Sequence, residues 1–166
     1  MLVAASILLK AVIFALLLRI AWRDFKTQKI TNKDVLVLGL LGLAGLVLGA
    51  VDANSWGSLK IGAIASVVMF LALLPLWLLR KMGAGDVKLL AASPLVTGGD
   101  YLLAFALLLL VFSVLTAFLV KNPFLLPAPA FRQFLEHWER KGVVPFGVPI
   151  SASLIGVLLL AFLKVI

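Results

Sequence analysis

The apolar residues of this chain fall in long uninterrupted runs, and that arrangement restricts the fold more than any motif does. Of its 166 residues, 64% are hydrophobic and 13% charged, which leaves too little polar surface to cover a soluble domain of this length. Uninterrupted runs, as opposed to alternating apolar and polar residues, read as membrane helices. The expected fold is an all-α, polytopic membrane helical bundle forming a single integral-membrane domain over residues 1–166.

Six candidate spans can be marked, roughly Leu2–Trp22, Val35–Val51, Leu59–Leu79, Asp86–Val96, Tyr101–Val120 and Val144–Lys164. A spanning helix needs about 20 apolar residues. The fourth run falls short, so it is expected to be tilted, met by a thinned bilayer, or sheltered by its neighbours. Charge argues that it crosses. With six crossings, the loops at 19–34, 80–88 and 121–142 share one side and carry twelve cations (Arg19, Arg23, Lys26, Lys29, Lys33, Arg80, Lys81, Lys88, Lys121, Arg132, Arg140 and Lys141). The other side keeps two, Lys60 and Lys164, with Asp52 and Asp100. This is a positive-inside pattern with both termini outside. The net charge of +8 therefore reads as membrane orientation, not as a nucleic-acid footprint.

The first run lacks a basic segment before it and an evident cleavage site after it, so it reads as a retained helix. Lys10, near its middle, is expected to turn into the bundle or to snorkel. After the Pro-rich "NPFLLPAPA", the stretch "FRQFLEHWERK" spaces Phe131, Phe134, Leu135 and Trp138 at i, i+3, i+4 and i+7. That spacing predicts an amphipathic helix in the cytoplasmic interface, part of an interfacial segment at about 121–142, with His137 solvated on it.

The chain has no cysteine and one histidine, which excludes disulfides and thiolate metal sites and disfavours an imidazole cluster. No metal or cofactor is expected. Chemistry, if any, falls to carboxylates. Asp86 opens the fourth span, and Asp24 closes the first on the same side. If the two helices pack together, their acids meet. Two carboxylates a few ångströms apart do not both ionise easily and share one proton, so the pair can activate a water against a peptide carbonyl. Gly83 and Gly85, lacking Cβ, allow close approach of another chain. Structural readings stand beside these. Asp86 could be the N-cap of its helix, and Asp24 an interfacial charge paired with Arg23 or Lys26. Asp34 reads as the N-cap or neighbour of the second helix. Lys88, within a turn of Asp86, either favours that acid's charged form or snorkels.

Taken together, "GAGDVK" (Gly83–Lys88) and "DFKTQKITN" (Asp24–Asn32) resemble the two aspartate motifs of the type IV prepilin (leader) peptidases, membrane aspartic proteases with a Gly-x-Gly-Asp element. Asp24, Ile30 and Asn32 match the first motif, while Lys29 stands where arginine is usual and Thr31 replaces proline. "VPFGVPI" resembles the family's Pro-Tyr-Gly entry to the last helix, with Pro145 and Gly147 matching and Phe146 for tyrosine. The resemblance implies Asp24 and Asp86 as the catalytic pair. It marks Gly83, Gly85, Lys88, Lys29, Asn32, Pro145 and Gly147 as supporting or substrate-binding positions. It further implies a protein of the bacterial inner (cytoplasmic) membrane that removes the basic leader from a prepilin at the cytoplasmic face. Long members carry a cysteine-bearing insert and methylate the product; a cysteine-free chain resembles the short forms serving Flp pili, without methylation. Expected partners are a prepilin and anionic lipid headgroups, not nucleic acid. A small ion or solute carrier and a non-catalytic pilus-assembly scaffold are the competing readings. A carrier would place its acids near the bilayer midplane on broken helices.

Overall fold

A computed structural model describes residues 2–122 and 145–163. The described residues form helices throughout: α1 (Leu2–Thr27), α2 (Asn32–Asp52), α3 (Gly57–Leu78), α4 (Ala84–Thr97), α5 (Leu102–Lys121) and α6 (Gly147–Leu163). Four of them, α1 from Ala4 onward, α2, α3 and α5, are long and apolar enough to cross a membrane. The protein is an all-α, polytopic membrane bundle. The expected amphipathic helix around Phe131–Trp138 lies outside the described residues.

Local chemistry sets the helix ends. Thr31 caps α2, its hydroxyl accepting the Asp34 N–H at 3.3 Å. It stands where the resembled motif carries proline, so a cap takes the place of a rigid ring. Helix α1 runs five residues beyond Trp22, so Asp24 sits inside its last turn, not after it. Around it, Trp22 stacks on Phe25 at 6.2 Å and Lys26 lies 4.4 Å over the indole, an aromatic-cation cluster suited to a headgroup region. Gly98 ends α4 at φ +65°, a backbone region that L side chains resist.

Shelter resolves the short fourth run. Helix α4 spans only about 21 Å at 1.5 Å per residue, against a hydrocarbon thickness of about 30 Å. It is the centre of the bundle: Val87, Leu89, Leu90, Ala91, Ala92, Ser93, Pro94 and Thr97 are all buried. It packs against α2, α3 and α6, and touches α5. On its outer side α1 packs on α2 and α6, and α5 on α6. Glycines make the close packing possible. A Cβ on Gly42 would stand 2.8 Å from the Leu95 carbonyl oxygen, and one on Gly62 2.8 Å from that of Pro94. By contrast, a Cβ on Gly49 would meet nothing within 4 Å. Gly42→Ala and Gly62→Ala are therefore expected to lower stability by about 1–3 kcal/mol through overpacking. Gly49→Ala should raise it by about 0.5–1 kcal/mol through helix propensity. Melting temperatures in detergent check the opposite signs.

The described helix ends gather in two groups. The close of α1 meets the starts of α2, α4 and α6. At the far end, the Gly99 N–H after α4 donates to the Ser58 carbonyl and hydroxyl in the first turn of α3, both at 3.0 Å.

Candidate active site

Asp24 is 3% exposed although Arg23 and Lys26, beside it on α1, face outward. The 3.6-residue period turns it inward, toward the start of α6. There the Gly147 N–H donates to Asp24 Oδ2 at 2.8 Å, and the Val148 N–H, which donates to the Pro145 carbonyl at 3.3 Å, lies close enough to favour the carboxylate's negative charge. Both belong to the set of helix-start amides that have no partner within their own helix. Gly147 is needed for space as well. A Cβ there would lie 2.7 Å from both Asp24 Cγ and Oδ2. The interfacial-charge reading of Asp24 does not hold, since Arg23 pairs instead with Asp34 at 3.6 Å, as does Arg19. Asp34, 6% exposed and also accepting from the Thr31 hydroxyl, braces the turn between α1 and α2.

Asp86 occupies the first turn of α4 and is half-buried. It is not the N-cap. Gly83 holds that position, with φ −66° and ψ 140° and no side-chain capping bond. This backbone is open to any residue, so the role of Gly83 is the room it leaves: a Cβ would stand 2.8 Å from Asp86 Oδ2. Gly85 does the same for the neighbouring turn, where a Cβ would meet Ile30 Cβ at 2.9 Å.

A cavity of about 610 Å³ joins these parts. Asp24 and Asp86 both line it, close enough for the charge of Asp24 to act on Asp86. Lys29, Asn32, Gly83, Gly85 and Pro145 line it too, so all the positions marked from sequence except Gly147 and Lys88 reach its wall, and Gly147 holds Asp24 from behind. Lys88 is exposed, in keeping with a snorkelling side chain. Its ammonium donates to Asn32 Oδ1 at 2.9 Å, tying α4 to α2. Lys10 is half-buried and lines a separate cavity of about 500 Å³ with Asp100 and Tyr101. Among the described residues no group of three or more His, Cys, Asp or Glu is placed to hold a metal.

Sequence reasoning passed over Gln28. It has a left-handed backbone (φ 52°), held by its N–H donating to the Asp24 carbonyl at 2.8 Å, and it lines the cavity. Its buried Nε2 has no hydrogen-bond partner among the described residues. The polar residue four positions after an aspartate at a helix end was a signal, but a weak one.

The model of the type IV leader peptidase family matches residues 11–126, which include both aspartates. The chain belongs to the type IV leader peptidase family. The match covers more than two thirds of the chain and ends before α6, so the Gly147 contact lies beyond it. Membership makes this a peptidase-type protein of a membrane family. No curated protein and no solved structure gives a significant match to it.

Proposed function

We propose that this leader peptidase family member is a membrane aspartic endopeptidase that removes the basic leader from Flp-type prepilins, using Asp24 and Asp86. The observation that carries the reading is the presence of both carboxylates on one cavity at one end of the bundle. One acid is ionised and takes a proton from a water, whose oxygen bonds to the scissile carbonyl carbon. The other, protonated, hydrogen-bonds the carbonyl oxygen. The tetrahedral intermediate then collapses, the C–N bond breaks, and a proton passes to the leaving amine. Asp24 Oδ2 accepts the Gly147 N–H, which leaves Oδ1 the freer of its two oxygens to share a proton with Asp86.

The remaining parts of the reading follow the charge pattern and the family. All six helices cross the inner membrane, the aspartates face the cytoplasm, and residues 1–166 act as one domain. The twelve-to-two distribution of cations supports that orientation, and anionic headgroups gather at the basic face. Without cysteines, methylation of the product is not part of the activity.

Co-expression with a Flp-type prepilin tests the assignment. The wild type should shorten the prepilin, whereas Asp24→Asn and Asp86→Asn should leave it at full length. Complete processing by either variant refutes the pair. A carrier would instead lose flux in proteoliposomes on Asp86→Asn while processing stayed intact, and a scaffold would tolerate both substitutions.

A further inference from the structure

Beside the aspartate cavity a second concave surface opens toward the bilayer, with a volume of about 620 Å³. Helices α2 and α3 form its walls and α4 its floor. We propose that this cleft seats the apolar membrane segment of the substrate, with an acidic side chain at that segment's cytoplasmic end held by Lys88. The proposal rests on the leader-peptidase reading and extends it to how the substrate enters.

Continuity is the first argument. Asn32 lines both the cleft and the aspartate cavity, and Lys88, two residues after Asp86, bonds to it at the junction. A chain whose peptide bond lies between the carboxylates would need to pass only Asn32 to enter the cleft. From Leu36 to Leu43 the α2 wall descends about 10 Å at 1.5 Å per residue. The surface is apolar there, with Val67 and Phe70 opposite.

Small residues supply the second argument. Exposed apolar side chains occur all around this bundle, as on α5, and by themselves single out nothing. Within the cleft, however, Gly39, Ala91 and Ala92 leave backbone close to the surface, the condition under which a membrane helix packs tightly. Gly39 has no internal need to be glycine. A Cβ there would make only ordinary contacts, at 3.8 Å to Leu95 and 4.0 Å to Ala92, unlike the collision at Gly42. The space it leaves faces the cleft.

Charge supplies the third. Lys88 is the one cation lining the cleft among the described residues, and its partner, Asn32, is neutral. The ion pairs found among the described residues are those of Asp34 with Arg19 and Arg23. An ammonium at the interfacial mouth of an apolar groove is complementary to an apolar segment that begins with a carboxylate.

The absence of cysteine gives a direct test. Leu40→Cys and Phe70→Cys place thiols in the cleft, while Leu107→Cys and Val114→Cys place them on the lipid-exposed side of α5. Each is combined with Asp86→Asn and incubated in membranes, under oxidation, with a Flp-type prepilin carrying one cysteine in its apolar segment. Disulfide yield at the cleft positions is expected to exceed that at α5 by about tenfold or more. Lys88→Glu should reduce the yield several-fold, and a prepilin whose acidic residue is changed to lysine should restore it. Equal yields at both faces overturn the proposal. So does a cleft that cross-links a photoactivatable anionic phospholipid but not the prepilin. Because cross-linking is read without cleavage, a failure of the aspartate assignment in the co-expression assay leaves this result separately interpretable.

Discussion

Asparagine at either Asp24 or Asp86 is expected to lower kcat/KM for prepilin cleavage by about 10³–10⁴-fold, and the double substitution should cost little more than the worse single one. The reason is that the two acids divide one task. One must accept a proton from water while the other donates to the carbonyl oxygen, and neither half proceeds alone. Independent contributions would multiply instead, giving a loss of about 10⁶-fold or more. Asparagine keeps the size of aspartate, and its carbonyl oxygen can still accept the Gly147 N–H at position 24. Melting temperature should therefore change little, separating chemistry from folding. Retention of even a tenth of wild-type turnover by either single variant would remove that residue from the mechanism.

The same division of labour fixes the pH profile. At low pH both acids are protonated and no base is present; at high pH both are ionised and no acid remains. The kcat/KM curve is therefore expected to be bell-shaped, its two limbs belonging to the pair and not to individual residues. A flat profile from mildly acidic to neutral pH, under conditions where chemistry limits the rate, contradicts a shared proton.

Much of the architecture was legible in the sequence because a bilayer simplifies the code. Backbone groups in hydrocarbon must bond internally, so a long apolar run has essentially one solution. The same logic located Asp24 and Asp86, since a carboxylate at the end of such a run is conspicuous. What could not be read were consequences of packing. Shelter was one of three accounts open for the short fourth run, and hydropathy, which reports composition but not neighbours, could not choose among them. Gln28 acquires its orientation from a left-handed turn that no motif announced. For Lys88 the sequence offered Asp86, its neighbour along the chain, or the membrane surface. Its actual partner, Asn32, is 56 positions away. Thr31 looked like a lost proline and is a helix cap. The Gly147 contact spans 123 positions, and resemblance could flag the residue without saying what it touches.

That contact carries the other large expectation. Gly147→Ala should reduce kcat by about 10²-fold while leaving KM nearly unchanged. A methyl at position 147 would stand 2.7 Å from Asp24 Cγ and 2.9 Å from Asp24 Cβ, distances that cannot persist. Asp24 is buried and bonded to the start of α6, so the added methyl must push the carboxylate toward the cavity or displace the start of α6. Either movement weakens the hydrogen bond that aims the acid, because one residue supplies both the donor and the space. The substrate cleft lies on α2, α3 and α4, away from this joint, which is why binding should be spared. Gly83→Ala makes a similar collision with Asp86 Oδ2, at 2.8 Å, but the half-buried Asp86 has room to turn, and its loss should be smaller. Gly156→Ala serves as the control. Its new methyl would press on Leu108 Cδ1, the movable end of a side chain, at 2.9 Å, and activity should hold. If Gly147→Ala cleaved at the rate of Gly156→Ala, the position of Asp24 would not limit the reaction, and a mechanism built on its alignment with Asp86 would have to be abandoned.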